Sequence, residues 1–221
     1  MMFIQAPRAW FEKSCDELLK LKFCQSQYDP SMFLHCTSTG ITVLLVYVDD
    51  IIITGTDGAM INELQNSLHQ SFHMKDLGPL TYFLGLEVHQ SEKGLVLDQH
   101  KYTLDLIDMA GLSHSTPVDT PLEVNLKLTQ DSGDLLPDPT FYRQLVGSLI
   151  YLTNTRLDTA YAVNLLSQFM TAPHHLHLVA ARRIIQFLLG TPNRGLFFPA
   201  GTSLELSAYS DADWTGCEDT R

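Results

Sequence analysis

Two adjacent carboxylates, Asp49 and Asp50, interrupt an apolar, β-branched stretch that reads Ile41-Thr-Val-Leu-Leu-Val-Tyr-Val-Asp-Asp-Ile-Ile-Ile-Thr-Gly55. The two apolar runs have the composition of strands, and the acidic pair reads as a tight turn between them. Neighbouring Asp side chains repel, and a two-residue hairpin loop normally takes Asn-Gly or Asp-Gly, which tolerate positive φ. A divalent cation would offset that repulsion. Hard ions such as Mg²⁺ take oxygen ligands, keep several waters, and are typically held by one or two carboxylates plus the phosphates of a substrate. A solvated turn with no ligand accounts for the dipeptide alone equally well.

The elements that must position this turn can be read on either side of it. Trp10, Phe11, Leu18, Leu19 and Leu21, with Pro7 in a first turn, predict a helix over 7–22. Met32 to His35 reads as a short strand, so three strands surround the acidic pair. Ile61, Leu64, Leu68 and Phe72 recur at helical spacing, with Asp57 or Thr56 as N-cap. Thr81 to Gln90 then reads as one strand, paired through a Ser-Glu-Lys-Gly turn with Leu95 to Leu97. A helix carrying Tyr102, Leu106 and Met109 is closed by Gly111 as a left-handed cap. Residues 113–138 are rich in Pro, Asp, Thr and Ser and read as a linker or long irregular loop. Three helices follow: from Asp138-Pro139 to Leu152, from a capping Asp158 to Met170, and from His174 to Leu189, stopped by Gly190-Thr-Pro192. Residues 194–198 and 204–210 read as strands. The fold class is α/β in the broad sense (α+β), a sheet with covering helices followed by a helical region.

Tyr47-Val48-Asp49-Asp50 resembles the active-site box of reverse transcriptases. Gln5-Ala-Pro-Arg-Ala-Trp10, Lys75-Asp-Leu-Gly-Pro-Leu-Thr-Tyr-Phe-Leu-Gly-Leu-Glu-Val88 and Tyr209-Ser-Asp-Ala-Asp-Trp-Thr-Gly-Cys217 extend the likeness to the Pol polyprotein of Ty1/copia-type retrotransposons. The resemblance implies part of a palm at 1–112, a linker at 113–138, a thumb or connection region at 139–192 and the start of an RNase H-like domain at 193–221. It implies nucleotidyl transfer to a primer 3′ hydroxyl, with an RNA or DNA template-primer and deoxynucleotides as partners. Two Mg²⁺ (or Mn²⁺) ions about 3.5 to 4 Å apart would serve the attacking and leaving oxygens, with Asp49 the first ligand and Asp50 the second. By the same likeness Tyr47 lies at the nucleotide site, Gln5 and Arg8 contact the incoming nucleotide, Leu84 and Gly85 hold the primer end, and Asp211 is one RNase H carboxylate. The family draws a further polymerase carboxylate from an upstream strand and further RNase H carboxylates from downstream. The isolated chain is therefore expected to lack meaningful polymerase activity, and a non-catalytic retrotransposon remnant is the alternative. The family's usual Arg-Pro-Asp is here Arg156-Leu-Asp158, a change at a helix start.

Charge and cysteines bound these readings. With 14 Lys and Arg against 25 Asp and Glu, the net charge of −11 opposes strong autonomous binding to phosphate backbones. A more basic fingers region upstream would reconcile this with the resemblance. Cys15, Cys24, Cys36 and Cys217 show no C-x-x-C spacing, which points to free thiols in a reducing, intracellular compartment, cytoplasm or nucleus. No run reaches the roughly 20 apolar residues of a membrane span. His174, His175 and His177 suggest a metal, but their spacing cannot place all three on one helical face. A receiver domain also carries an acidic pair at a strand end. There a loop and helix should follow, whereas Ile51 to Thr54 continues as strand.

Overall fold

The computed structural model describes residues 6–72, 74–203 and 205–210. It divides into two compact units, Met1–Leu80 and Thr81–Arg221. In the first, α1 (Ala6–Lys20) precedes a sheet of β1 (Cys24–Gln25), β2 (Met32–Cys36), β3 (Ile41–Tyr47) and β4 (Asp50–Gly55), and α2 (Gly58–Phe72) follows. The strands lie in the order β1-β2-β3-β4, each antiparallel to its neighbour. Strand periodicity fixes the core face. Thr42, Leu44 and Val46 of β3 are buried, and Phe33, Leu44 and Ile53 form one cross-strand row. Met60, Leu64 and Leu68 of α2 recur every four residues and close on this face together with Leu18 of α1.

Asp57 starts α2. Its Oδ1 accepts the Met60 N–H at 3.1 Å, while Thr37 and Thr39 hydroxyls from the β2–β3 loop each donate to Oδ2 at 2.7 Å. This residue is the cap of the two anticipated, and these hydrogen bonds, led by those of Thr39 and Thr37, lower its pKa to about 2. At the end of α1, Phe23 N–H donates to Leu18 O and Lys22 N–H to Leu19 O, both at 3.0 Å. That is the double hydrogen bond of a Schellman cap, with Lys22 at φ 63° in the place glycine usually takes.

The second unit opens with β5 (Tyr82–Phe83), β6 (Leu86–Ser91) and β7 (Gly94–Asp98), continues through α3 (His100–Met109), α4 (Thr140–Leu152), a 3₁₀ turn at Leu157–Thr159, α5 (Ala160–Ser167) and α6 (His175–Gly190), and adds β8 (Leu196–Pro199). The second sheet is antiparallel in the order β5-β6-β7-β8. Leu106, Leu145, Leu149, Val163, Leu166 and Ile184 are among the buried side chains that the four helices share. Segment 113–138 contains no named helix or strand, and its Leu122, Leu126, Leu128 and Leu136 pack on that helical core.

Several expectations change. Thr81 to Gln90 is not one strand: the chain reverses at Leu84-Gly85, both at positive φ (51° and 80°), so Phe83 pairs with Leu86. Two consecutive left-handed residues are the signature of a type I′ hairpin turn. Asp158 does not cap α5. Its carboxylate is taken by Arg156, whose Nε and Nη2 reach Oδ1 and Oδ2 at 2.9 and 2.8 Å, and Thr159 is the cap residue. Described residues 205–210 belong to no strand. The histidines are structural. His177 is fully buried, stacks on Phe169 with ring centres 4.0 Å apart, accepts the His174 N–H on Nδ1 at 2.9 Å and donates from Nε2 to Thr129 O at 3.0 Å. Burial lowers its pKa, and the neutral ring carries its proton on Nε2.

Among the described residues, no helix is long and apolar enough to cross a membrane, and Cys15, Cys24 and Cys36 are free.

Candidate active site

The β3–β4 register places Tyr47 opposite Asp50, so the loop between the strands consists of Val48 and Asp49. The acidic pair therefore straddles the turn boundary: Asp49 is in the turn, and Asp50 is the first residue of β4. Val48 has φ 54°, and Asp49 is not among the positive-φ residues. Positive φ at the first central position alone is the pattern of a type II′ turn, which prefers glycine there. A β-branched residue in this region is a steric outlier, costing on the order of 1–2 kcal/mol. Such strain persists only where the surroundings over-determine it. Here the six-residue ladder from Thr42–Gly55 to Tyr47–Asp50 does so.

Asp49 and Asp50 are both exposed, and Asp50 shares a sheet face with Tyr47, opposite the Val46 and Ile51 side that meets the core. The tip thus offers hard oxygen donors with open approach, the set Mg²⁺ takes when a substrate supplies its other oxygens. Among the described residues no third His, Cys, Asp or Glu gathers with the pair.

Other expected site residues fall as follows. Gln5 and Asp211 lie outside the described residues. Arg8 is on α1, highly exposed, with Nε 2.8 Å from Glu12 Oε1 one helical turn on. Leu84 and Gly85 form the β5–β6 turn of the second unit, where the Tyr151 hydroxyl donates to Leu84 O. A Cβ on Gly85 would stand 3.2 Å from that hydroxyl, so both the positive φ and the close neighbour call for glycine. Tyr151 also meets Tyr102 edge-on, ring centres 5.2 Å apart. Sequence reasoning missed Tyr151 because 67 residues separate it from its partner.

Residues 2–124 match the family described as reverse transcriptase (RNA-dependent DNA polymerase). The chain belongs to that reverse transcriptase family. Over 215 residues, 97% of its length, this family member is 47% identical to the retrovirus-related Pol polyprotein from transposon RE1 of Arabidopsis thaliana and 46% identical to that from transposon RE2. It spans 15% of the length of each, both Ty1/copia-type elements. It is also 39% identical over 178 residues to an uncharacterized mitochondrial protein of the same plant, covering 80% of this chain and 74% of that protein. No solved structure matches. The reverse-transcriptase match covers both the Asp49–Asp50 turn and the Leu84–Gly85 turn.

Proposed function

We propose that this chain supplies the metal-binding turn and the primer-holding hairpin of an RNA-directed DNA polymerase encoded by a Ty1/copia-type element. The observation that carries the reading is the strained Val48 turn that presents Asp49 and Asp50, exposed, at the end of a fully paired hairpin. Asp49 and Asp50 would hold Mg²⁺ or Mn²⁺. An ion held by these two carboxylates would supply positive charge for the attacking oxygen and the leaving phosphate oxygen. Tyr47, on the same sheet face as Asp50, and Gln5 would contact the incoming deoxynucleotide. Leu84 and Gly85 present backbone to the primer end, held in place by Tyr151. In this reading residues 1–112 are palm, 113–138 the linker, 139–192 thumb or connection, and 193–221 the RNase H-like start with Asp211. The template-primer is the macromolecular partner.

Mn²⁺ binding followed by water-proton relaxation tests the turn directly. Binding that Asp49→Asn and Asp50→Asn each weaken is expected; equal binding by wild type and both variants would remove the site. Among the described residues only Asp49 and Asp50 gather at the turn, too few for the ion pair of a complete polymerase centre, so the purified chain is expected not to extend a primer, whereas Asp49→Asn in a complete polyprotein is expected to abolish extension. Primer extension by the purified chain that Asp49→Asn abolishes would defeat the first expectation. Unimpaired extension by the Asp49→Asn polyprotein would remove Asp49 from the catalytic centre, and absence of extension by the unsubstituted polyprotein would favour the alternative, a non-catalytic remnant.

A further inference from the structure

A second set of metal-ligating side chains converges away from the acidic turn. Glu87 and His89 are alternate residues of β6 and share one face, and Asp98, the last residue of β7, pairs directly with Glu87. Ligand atoms of all three lie within 4.8 Å of one another, with His89 Nε2 3.2 Å from Asp98 Oδ2. Two carboxylates directly opposite on adjacent strands repel, and the Asp98 side chain is only 8% exposed, so water screens it little.

The start of α3 partly answers this repulsion and at the same time orients the acids. His100 N–H donates to Asp98 Oδ1 at 3.1 Å, and Lys101 N–H donates to Glu87 Oε1 at 2.7 Å. Each carboxylate thus has one oxygen held by a backbone N–H at the start of α3. Asp98 Oδ2 is left to meet the imidazole. Backbone bonds of this kind are what orient carboxylate ligands in metal sites.

We propose that Glu87, His89 and Asp98 bind a divalent transition-metal cation, Zn²⁺ in preference to Mg²⁺. One imidazole with two carboxylates suits Zn²⁺ and its neighbours in the first row, whereas Mg²⁺ prefers an all-oxygen shell. Three protein ligands on a half-open surface leave the remaining positions to water. The ion staples the β6–β7 hairpin to the start of α3, and it is independent of whether Asp49 and Asp50 serve a polymerase.

The probe is Zn²⁺ alone, titrated into the full chain carrying Asp49→Asn and Asp50→Asn so that the acidic turn contributes nothing. One equivalent is expected to shift the His89 ring nitrogen resonances and to raise the melting temperature, and a chelator should reverse both. His89→Gln and Glu87→Gln are each expected to weaken Zn²⁺ binding by at least about tenfold. His89 is 57% exposed at its side chain, and Glu87→Gln keeps the acceptor for Lys101 N–H, so neither should unfold the protein. Unmoved His89 resonances, or undiminished affinity in both variants, would mean that His89 and Asp98 form an ion pair only and would overturn the proposal.

Discussion

Replacing Val48 by glycine separates stability from function at the acidic turn. Relief of the left-handed conformation contributes about 1–2 kcal/mol, toward the upper end for a β-branched side chain. Against this stand about 0.5–1 kcal/mol for the greater freedom of glycine in the unfolded chain, and the lost burial of a side chain that is 67% exposed in the native state. With roughly a third of the side chain buried, and about 1.5 kcal/mol for burying a whole valine, the burial loss is about 0.5 kcal/mol. The balance favours V48G by about 0.5 kcal/mol, a rise in melting temperature of about 1–2 °C for a chain of this length.

The same substitution should weaken the metal site. A glycine turn samples more conformations, and re-ordering one residue's backbone on binding costs about 1 kcal/mol. That corresponds to about fivefold weaker Mn²⁺ binding. Urea denaturation and Mn²⁺ relaxation titration on the same preparations read the two effects, with V48A as control because it keeps a Cβ in the strained region. A V48G protein less stable than wild type by about 1 kcal/mol or more would refute the strain argument, since the losses just counted reach that size only if relief is absent.

Three further expectations concern the rest of the chain. Arg156 is 1% exposed and gives its guanidinium to Asp158, to Thr191 O and Oγ1 and to the Phe187 ring; R156A should cost about 3 kcal/mol in urea denaturation by removing this buried network and leaving Asp158 only its exposed partner Arg194, and a loss under about 1 kcal/mol would show the cluster to be idle. The Asp57 pKa of about 2 lies below its unfolded value of about 3.9, so its contribution is fully present above about pH 4 and is lost as pH falls toward about 2; D57N should be less stable than wild type at neutral pH, with the difference vanishing across that window, and a constant difference would contradict the assignment. Leu157 is 62% exposed at the first position of the 3₁₀ turn, and Arg156 before it has φ −106° and ψ 64°, outside the helical region that a following proline forbids; L157P should therefore raise stability by about 0.4–1 kcal/mol, and a lower melting temperature would count against it.

Comparison of two helix ends shows what could be read from the sequence and what could not. α1 and α3 finish in the same way, with a double hydrogen bond around a left-handed residue. In α3 that residue is Gly111, and glycine announces the conformation because it alone adopts it freely. In α1 it is Lys22, whose type carries no such signal; tertiary packing of Phe23 and Leu18 in the core selects the conformation instead. The two turns at the candidate site divide along the same line. Apolar alternation was enough to locate β3, β4 and the acidic pair between them, but the one-residue shift that puts Val48 in the turn and Asp50 in the strand depends on a valine at φ 54°. Gly85 reads equally as a strand glycine or a turn glycine, and Leu84 beside it hides the type I′ turn. Where conformation follows from residue type, as at Gly111 and at the Asp57 cap, the sequence is legible. Where long-range contacts hold a residue against its own preference, as at Lys22, Val48 and Leu84, only the fold reveals it, and two of those three residues lie in the turns proposed to meet metal and primer.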